Sequence, residues 1–125
     1  MRIIGGRFKG KSLGAPKGLS TRPTTDRVRE ALFNVLTHGE PQIDFEDVRA
    51  LDLFAGSGAL GLEALSRGAR YCLFIDKDAA ARGAIRHNVE ALGLTGITKV
   101  WRRDATRLGP VGPMNPFDLV FCDPP

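Results

Sequence analysis

Four aspartates lie within the last residues of, or just after, the four apolar segments in the second part of the chain, and this pattern predicts one acidic site. The segments span residues 48–54, 70–75, 97–102 and 117–122, and the aspartates are Asp52, Asp76, Asp104 and Asp123. A single Asp after a strand is often only a turn residue. The carboxyl ends of parallel strands, however, line one crevice where ligands bind. We therefore expect the four carboxylates to converge on one site.

A glycine-rich loop follows the first of these segments. Gly56, Gly58 and Gly61 form a G-x-G-x-x-G motif between a predicted strand and a predicted helix, which is the context that gives the motif meaning. The glycines permit a tight turn, close approach of a ligand and close packing of helix on strand. Asp76 ends the next strand, where a carboxylate can accept both hydroxyls of a ribose. These features indicate a nucleoside cofactor, either a dinucleotide or an adenosyl sulfonium.

Two further aspartates separate these cofactors. Asp52 precedes the glycine loop by four residues, so its negative charge would repel a pyrophosphate and would suit the ammonium group of an amino acid. This favours S-adenosylmethionine and disfavours a dehydrogenase. Asp104 can accept a hydrogen bond from the adenine amino group, with the backbone N–H of Ala105 on a ring nitrogen.

The sequence Asp123-Pro124-Pro125 predicts a turn that binds an amine. Proline has no N–H, so this turn offers only hydrogen-bond acceptors. Acceptors that bind the N–H groups of a base amine stabilise the positive charge that develops as the nitrogen attacks. They also aim the nitrogen at a methyl carbon. No metal site is expected, because Cys72 and Cys122 lie far apart with no nearby His.

Basic residues are concentrated at the N-terminus. Residues 1–30 hold two acidic residues and eight basic ones, Arg2, Arg7, Lys9, Lys11, Lys17, Arg22, Arg27 and Arg29. The whole chain carries a formal charge of only +4. Clustered Lys and Arg are typical of phosphate contacts, which suggests a nucleic-acid partner. A solvated basic arm that aids solubility is the other interpretation.

Alternating strands and helices must position these residues. The 125 residues are 42% hydrophobic and 26% charged, which is usual for a globular domain and argues against disorder. Helices are predicted over 59–66 and from Asp78 to about Leu92, and strands alternating with helices predict an α/β fold with a parallel sheet. An earlier helix over 26–38, capped within Thr24-Thr25-Asp26, is predicted to be amphipathic, with its apolar side formed by Val28, Ala31, Leu32, Val35 and Leu36.

The chain resembles the ribosomal RNA small-subunit methyltransferase D family from end to end. The resemblance rests on residues 2–6 (RIIGG), 22–34 (RPTTDRVREALFN), 52–61 (DLFAGSGALG) and 123–125 (DPP). It implies a Rossmann-like class I methyltransferase sheet with flanking helices and a short N-terminal β-hairpin. It also implies that S-adenosylmethionine is the cofactor and that N2 of a guanine in 16S ribosomal RNA is methylated.

Pattern and resemblance together assign the candidate site residues. The cofactor contacts are expected at Asp52, Phe54, Gly56, Ser57, Gly58, Gly61, Asp76, Lys77, Asp104 and Ala105. The target amine is expected at Asp123, Pro124 and Pro125, and the RNA contacts at Arg2, Arg7, Lys9, Lys11 and Arg22. Residues 1–20 would form a basic hairpin or arm, and residues 21–125 the N-terminal part of the methyltransferase domain.

The family pattern continues beyond the two prolines with an aromatic residue and further strands. We therefore expect the 125-residue piece to lack C-terminal strands, to be inactive alone, and to self-associate through its exposed fourth strand. The partner is expected to be 16S ribosomal RNA or a small-subunit assembly intermediate in the cytoplasm, with no membrane contact. Two alternatives stay open: methylation of an amine on DNA or another RNA base, and a non-catalytic RNA-binding module on the same fold.

Overall fold

The computed structural model describes residues 1–16, 24–110 and 112–125. A 3-10 turn at Gly6–Phe8 is followed by α1 (Asp26–His38), β1 (Arg49–Leu53), α2 (Ala59–Ser66), β2 (Tyr71–Ile75), α3 (Ala79–Ala91), a second 3-10 turn at Thr95–Ile97, β3 (Thr98–Trp101) and β4 (Leu119–Cys122). The three predicted helices and the four predicted strands of the parallel sheet are all present. β3 is shorter than predicted because the 3-10 turn at Thr95–Ile97 includes the residue expected to start it. β4 is shorter because it begins at Leu119, two residues later than predicted.

The four strands form one parallel sheet in the order β3-β2-β1-β4. β1 pairs with β2 on one side and with β4 on the other. Because the strands are parallel, their carboxyl ends meet at one edge of the sheet. This architecture confirms the predicted α/β Rossmann-like class.

The helices begin at the predicted caps. The Thr25 side chain accepts the backbone N–H of Val28 at the start of α1, and the Asp78 side chain accepts that of Ala81 at the start of α3. Such bonds satisfy backbone donors that have no partner within the helix.

The buried side of α1 differs from the prediction. Phe33 and Arg29 are fully buried, whereas Val28 and Val35 are 55% and 66% exposed. Phe33 packs against Phe45 and Phe121, with ring centroids 5.3 and 5.7 Å apart. Leu32 and Leu36 pack against the core as predicted, whereas Arg29 lies inside because it pairs with the buried carboxylate of Glu63.

The N-terminal arm, residues 1–16, packs on the rest of the molecule. Ile3 and Leu13 belong to the same core as the sheet. The predicted hairpin is reduced to one isolated antiparallel bridge between Arg2 and Ser12, because the arm bends through the 3-10 turn at Gly6–Phe8. Among the described residues, no helix is long and apolar enough to cross a bilayer.

Candidate functional site

A cavity of about 490 Å³ lies at the carboxyl edge of the sheet. Most of the predicted site residues line it: Asp52, Phe54, Gly56, Ser57, Asp76, Lys77, Asp104, Ala105, Asp123, Pro124 and Pro125. The four strand-end carboxylates thus surround one cavity, as the parallel sheet requires. Gly58 and Gly61 are not part of the cavity lining: Gly58 precedes the first residue of α2, and Gly61 lies within α2.

The glycine-rich loop leaves open space beside the cavity. Gly56 has a φ of +61°, and a Cβ built on it would meet no protein atom within 4 Å. Phe54, two residues earlier, has a φ of 54°, which is unusual and strained for a bulky residue. The loop therefore holds a strained backbone next to a space that a ligand can fill.

Close packing explains Gly61. A Cβ on Gly61 would lie 2.4 Å from Cε1 of Phe74 and 2.7 Å from Sγ of Cys72. Only glycine allows α2 to sit this close to β2. The Gly61 backbone N–H also donates to Oδ2 of Asp52 at 3.0 Å, so this close approach fixes one oxygen of that carboxyl.

Burial changes the expected charge of Asp52. The side chain is only 1% exposed, and burial, with smaller contributions from the nearby Asp123 and Asp76, raises its pKa to about 8. At neutral pH this burial therefore favours the protonated form of the carboxyl. Burial thus works against the negative charge expected for Asp52, because removing a carboxylate from water disfavours ionisation.

Asp76 is held by two backbone N–H groups. Gly56 donates to Oδ2 at 2.9 Å, and Asp78 donates to Oδ1 at 2.9 Å. Each carboxylate oxygen can accept more than one hydrogen bond. Both oxygens therefore retain acceptor capacity toward the cavity while their orientation is fixed.

Asp104 is held in a similar way by Thr106. Its Oδ1 accepts the Thr106 backbone N–H at 2.9 Å and the Thr106 hydroxyl at 2.6 Å. The hydroxyl bond, together with the backbone bond, lowers the pKa of Asp104 below its ordinary value. This carboxylate is ionised at neutral pH and is fixed beside Ala105.

Asp123 stands at the tip of β4 with Pro124 and Pro125 behind it. Its Oδ2 accepts a hydrogen bond from the Thr24 hydroxyl, which comes from the segment before α1. Thr24 lines the same cavity. The acceptor-only turn predicted from the sequence is therefore open to the cavity.

The N-terminal arm is anchored on α2 by a buried carboxylate. Glu63 accepts the backbone N–H groups of Ile4 and Gly5, each at 2.9 Å, and pairs with Arg29 at 3.3 Å and with Arg67 at 2.9 Å. Every residue of α2 is buried, because the sheet covers one side and the arm another. The polar Glu63 is tolerated there because its oxygens have partners.

The arm carries exposed basic side chains that are not part of the cavity lining. The predicted RNA contacts Arg2, Arg7, Lys9 and Lys11 are all exposed, and none of them lines the cavity. Arg22 lies outside the described residues. The end of the arm does reach the site, since Ala15 and Pro16 line the cavity.

Sequence reasoning missed several residues of the site. Ala15, Pro16 and Thr106 were not predicted, and neither was Asn88, whose amide binds both Gly14 and the carbonyl oxygen of Ser57. The spacing Asp104-x-Thr106, typical of a side chain that caps a turn, could have identified Thr106. Among the described residues, no group of three or more His, Cys, Asp or Glu side chains could hold a metal ion.

Relatives of known sequence and structure match the whole chain. A Bacillus subtilis protein named "Putative rRNA methyltransferase YlbH" is 46% identical over 127 residues, with all of this chain and 66% of the relative covered. The ribosomal RNA small subunit methyltransferase D of Escherichia coli K12 is 44% identical over 125 residues, with all of this chain and 60% of the relative covered. The chain thus spans less than two thirds of their length.

A solved structure and a family model agree with these matches. The structure titled "Putative methyltransferase yhhF from Escherichia coli" superposes with a TM-score of 0.80 at 42% identity, covering all of this chain and 64% of that one. The model of the family described as conserved hypothetical protein 95 matches residues 1–125. The chain therefore belongs to the conserved hypothetical protein 95 family, which is the small-subunit ribosomal RNA methyltransferase D family that its motifs predict.

Proposed function

We propose that the protein transfers a methyl group from S-adenosylmethionine to the exocyclic N2 of a guanine in 16S ribosomal RNA. One observation carries this proposal: Asp52, Asp76, Asp104 and Asp123 surround a single cavity that ends in an acceptor-only proline turn. The named methyltransferase relatives support the reaction class.

The cofactor is S-adenosylmethionine, and the residues of the cavity fit its parts. The oriented oxygens of Asp76 suit the two ribose hydroxyls, and ionised Asp104 suits the adenine amino group. Asp52 suits the ammonium group, because a cation restores the charge that burial suppresses. The space beside Gly56 accommodates the body of the ligand, with Phe54, Ser57 and Lys77 completing the wall. When bound, the cofactor supplies an electrophilic methyl group on a sulfonium sulfur.

Asp123 and the carbonyl groups of the proline turn would hold the target amine. The nitrogen lone pair is delocalised into the base, and acceptors for its N–H protons make that nitrogen a better nucleophile. The bound cofactor would supply a methyl group whose C–S bond breaks as the N–C bond forms, with the electron pair kept by sulfur, and the amine would lose one proton to solvent. No residue of the chain forms a covalent bond in this step.

The exposed basic residues of the arm would bind RNA phosphates. Arg2, Arg7, Lys9 and Lys11 give a cluster suited to phosphate contacts. Lys77 and Arg103 add positive charge at the cavity itself. The proposed partner is 16S ribosomal RNA, free or in a small-subunit assembly intermediate in the cytoplasm.

Methyl transfer by the full-length protein tests this function. A labelled methyl group on the cofactor is followed into a 16S ribosomal RNA transcript, a small-subunit precursor particle and a duplex DNA, and the nucleosides are then analysed by mass spectrometry. We expect N2-methylguanosine in RNA. Methyladenine in DNA would instead support the DNA alternative, and RNA binding without cofactor binding would support a non-catalytic module.

A matched pair of variants assigns the chemistry to the turn. Asp123→Ala removes an acceptor at the reacting amine and should lower kcat by about 10²–10³-fold. Asp118→Asn is the control, because Asp118 lies just before the same strand at the opposite edge of the sheet, where it accepts the Arg49 backbone N–H. Equal losses in the two variants would contradict a catalytic Asp123.

A further inference from the structure

Three of the strand-end carboxylates in the cavity, Asp76, Asp104 and Asp123, are fixed in two different ways. Asp76 accepts the backbone N–H of the second residue after it, Asp78, and Asp104 does the same with Thr106. The second residue after Asp123 is Pro125, which has no N–H to donate. The Asp123-Pro124-Pro125 turn therefore lacks the backbone N–H that fixes the carboxylates of Asp76 and Asp104.

A hydroxyl from a distant part of the chain takes the place of that missing donor. The side chain of Thr24 donates to Oδ2 of Asp123 across 99 positions of sequence. Asp123 is exposed, so without this bond its carboxyl could turn among several rotamers. With the bond, Oδ2 is tied to Thr24 and the orientation of the carboxylate is restricted.

Thr24 itself is held by the start of α1. The next residue, Thr25, caps the helix, and Asp26 accepts the backbone N–H of Arg2 and pairs with buried Arg29. Arg29 in turn binds Glu63 on α2. The donor is therefore attached to the packed interior and to the N-terminal arm.

We propose that Thr24 is a positioning residue that orients Asp123 toward the target amine. The inference rests on the proposed function and explains what orients the carboxylate of Asp123. Thr24 keeps its own proton throughout, and the methyl group passes from sulfur to nitrogen as described above. A misplacement of about 1 Å at a reacting group can cost roughly 10²-fold in rate, so losing the bond should lower kcat rather than cofactor binding.

Substitutions of two threonines test the inference in the full-length protein. Thr24→Val keeps the side-chain shape without the hydroxyl, and Thr24→Ser keeps the hydroxyl. Thr106→Val is the matched control, because Thr106 makes the same kind of bond to Asp104 at the proposed adenine end. The measurements are kcat with saturating RNA and cofactor, the Kd of S-adenosylhomocysteine by calorimetry, and the thermal unfolding midpoint.

We expect a separation of effects. Thr24→Val should lower kcat about 10–100-fold and change the Kd less than about twofold, while Thr24→Ser should stay within about threefold of wild type. Thr106→Val should mainly raise the Kd. Thr24→Ala, which cannot clash, should reproduce the loss if the valine variant unfolds.

Three results would overturn the inference. They are an unchanged kcat in Thr24→Val, an equal loss in Thr24→Ser, or a Thr24→Val variant in which only the Kd rises. A wild-type protein without methyl transfer would refute the proposed function and this inference with it. An active wild type, an inactive Asp123→Ala and a normal Thr24→Val would refute the positioning role alone.

Discussion

Replacing Asp52 with Asn should change how the stability of the protein depends on pH. Burial raises the pKa of Asp52 to about 8 from its ordinary value of 3.8. The folded protein therefore keeps a proton on this carboxyl between pH 4 and 8, while the unfolded chain releases it. Unfolding becomes easier as the pH rises through this range, because the unfolded state gains the ionised form.

The size of the effect follows from this difference in pKa. Each pH unit between the two values lowers the free energy of unfolding by about 1.4 kcal/mol. From pH 5 to pH 7 the loss due to Asp52 is about 3 kcal/mol, which is a large part of the stability of a typical domain. Asn has the shape of the neutral acid and does not titrate, so Asp52→Asn should lack this loss.

Urea unfolding of both proteins at pH 5, 6 and 7 measures the difference directly. All other titrating groups are shared, so their effects cancel when the free energy of unfolding of wild type is subtracted from that of Asp52→Asn. We expect this difference to rise steadily with pH in favour of the variant. A difference that stays constant within about 0.5 kcal/mol would refute a protonated, buried Asp52.

Cofactor binding should also change the protonation of Asp52. An ammonium group near Asp52 favours the ionised carboxylate, so binding of S-adenosylhomocysteine at pH 7 should release up to about one proton. Calorimetry in two buffers of different ionisation enthalpy measures this release. Asp52→Asn should abolish it, whereas Asp104→Asn should keep it, because the pKa of Asp104 already lies below its ordinary value.

Three further predictions concern stability and association. Glu63→Gln removes one of the two carboxylates that pair with buried Arg29 and should lower the free energy of unfolding by about 1–3 kcal/mol in a urea titration. An unchanged free energy of unfolding would contradict a stabilising role of the Glu63 carboxylate. Gly61→Ala puts a Cβ 2.4 Å from Phe74 and should lower the free energy of unfolding by about 1–3 kcal/mol. Gly83→Ala, in the middle of α3 where a Cβ meets no other atom within 4 Å, should raise it by up to about 1 kcal/mol. Equal shifts in the thermal unfolding midpoints of the two variants would argue against close packing at Gly61. Val120→Lys, at a residue 49% exposed on β4, should reduce concentration-dependent self-association of the 125-residue chain in sedimentation velocity, and an unchanged profile would exclude that strand as the contact.

Local patterns identified the sheet and its acidic edge because those features depend on neighbouring residues. Apolar runs that end in Asp indicated both the strands and the edge of the sheet at which the carboxylates lie. The buried side of α1 could not be obtained in this way. A charged residue at position 29 indicates a solvent-facing position, unless a carboxylate elsewhere in the fold neutralises it, and Glu63 itself lies in a helix where charge also suggests exposure.

The remaining features depend on contacts between distant segments. Glu63 is tolerated inside the molecule because the arm supplies the N–H groups of Ile4 and Gly5. The sequence around Glu63 and the sequence of the arm do not separately indicate this contact. Likewise, the sequence Asp123-Pro124-Pro125 reveals which donors are missing but not which residue replaces them. The arm, α1 and the proline turn are thus linked through polar contacts that run from the buried Arg29–Glu63 pair to the exposed Thr24–Asp123 bond. Because Asp26 joins the Arg2 backbone N–H to the start of α1, we expect a displacement of the arm to move Thr24, and with it Asp123, the carboxylate that we propose holds the target amine.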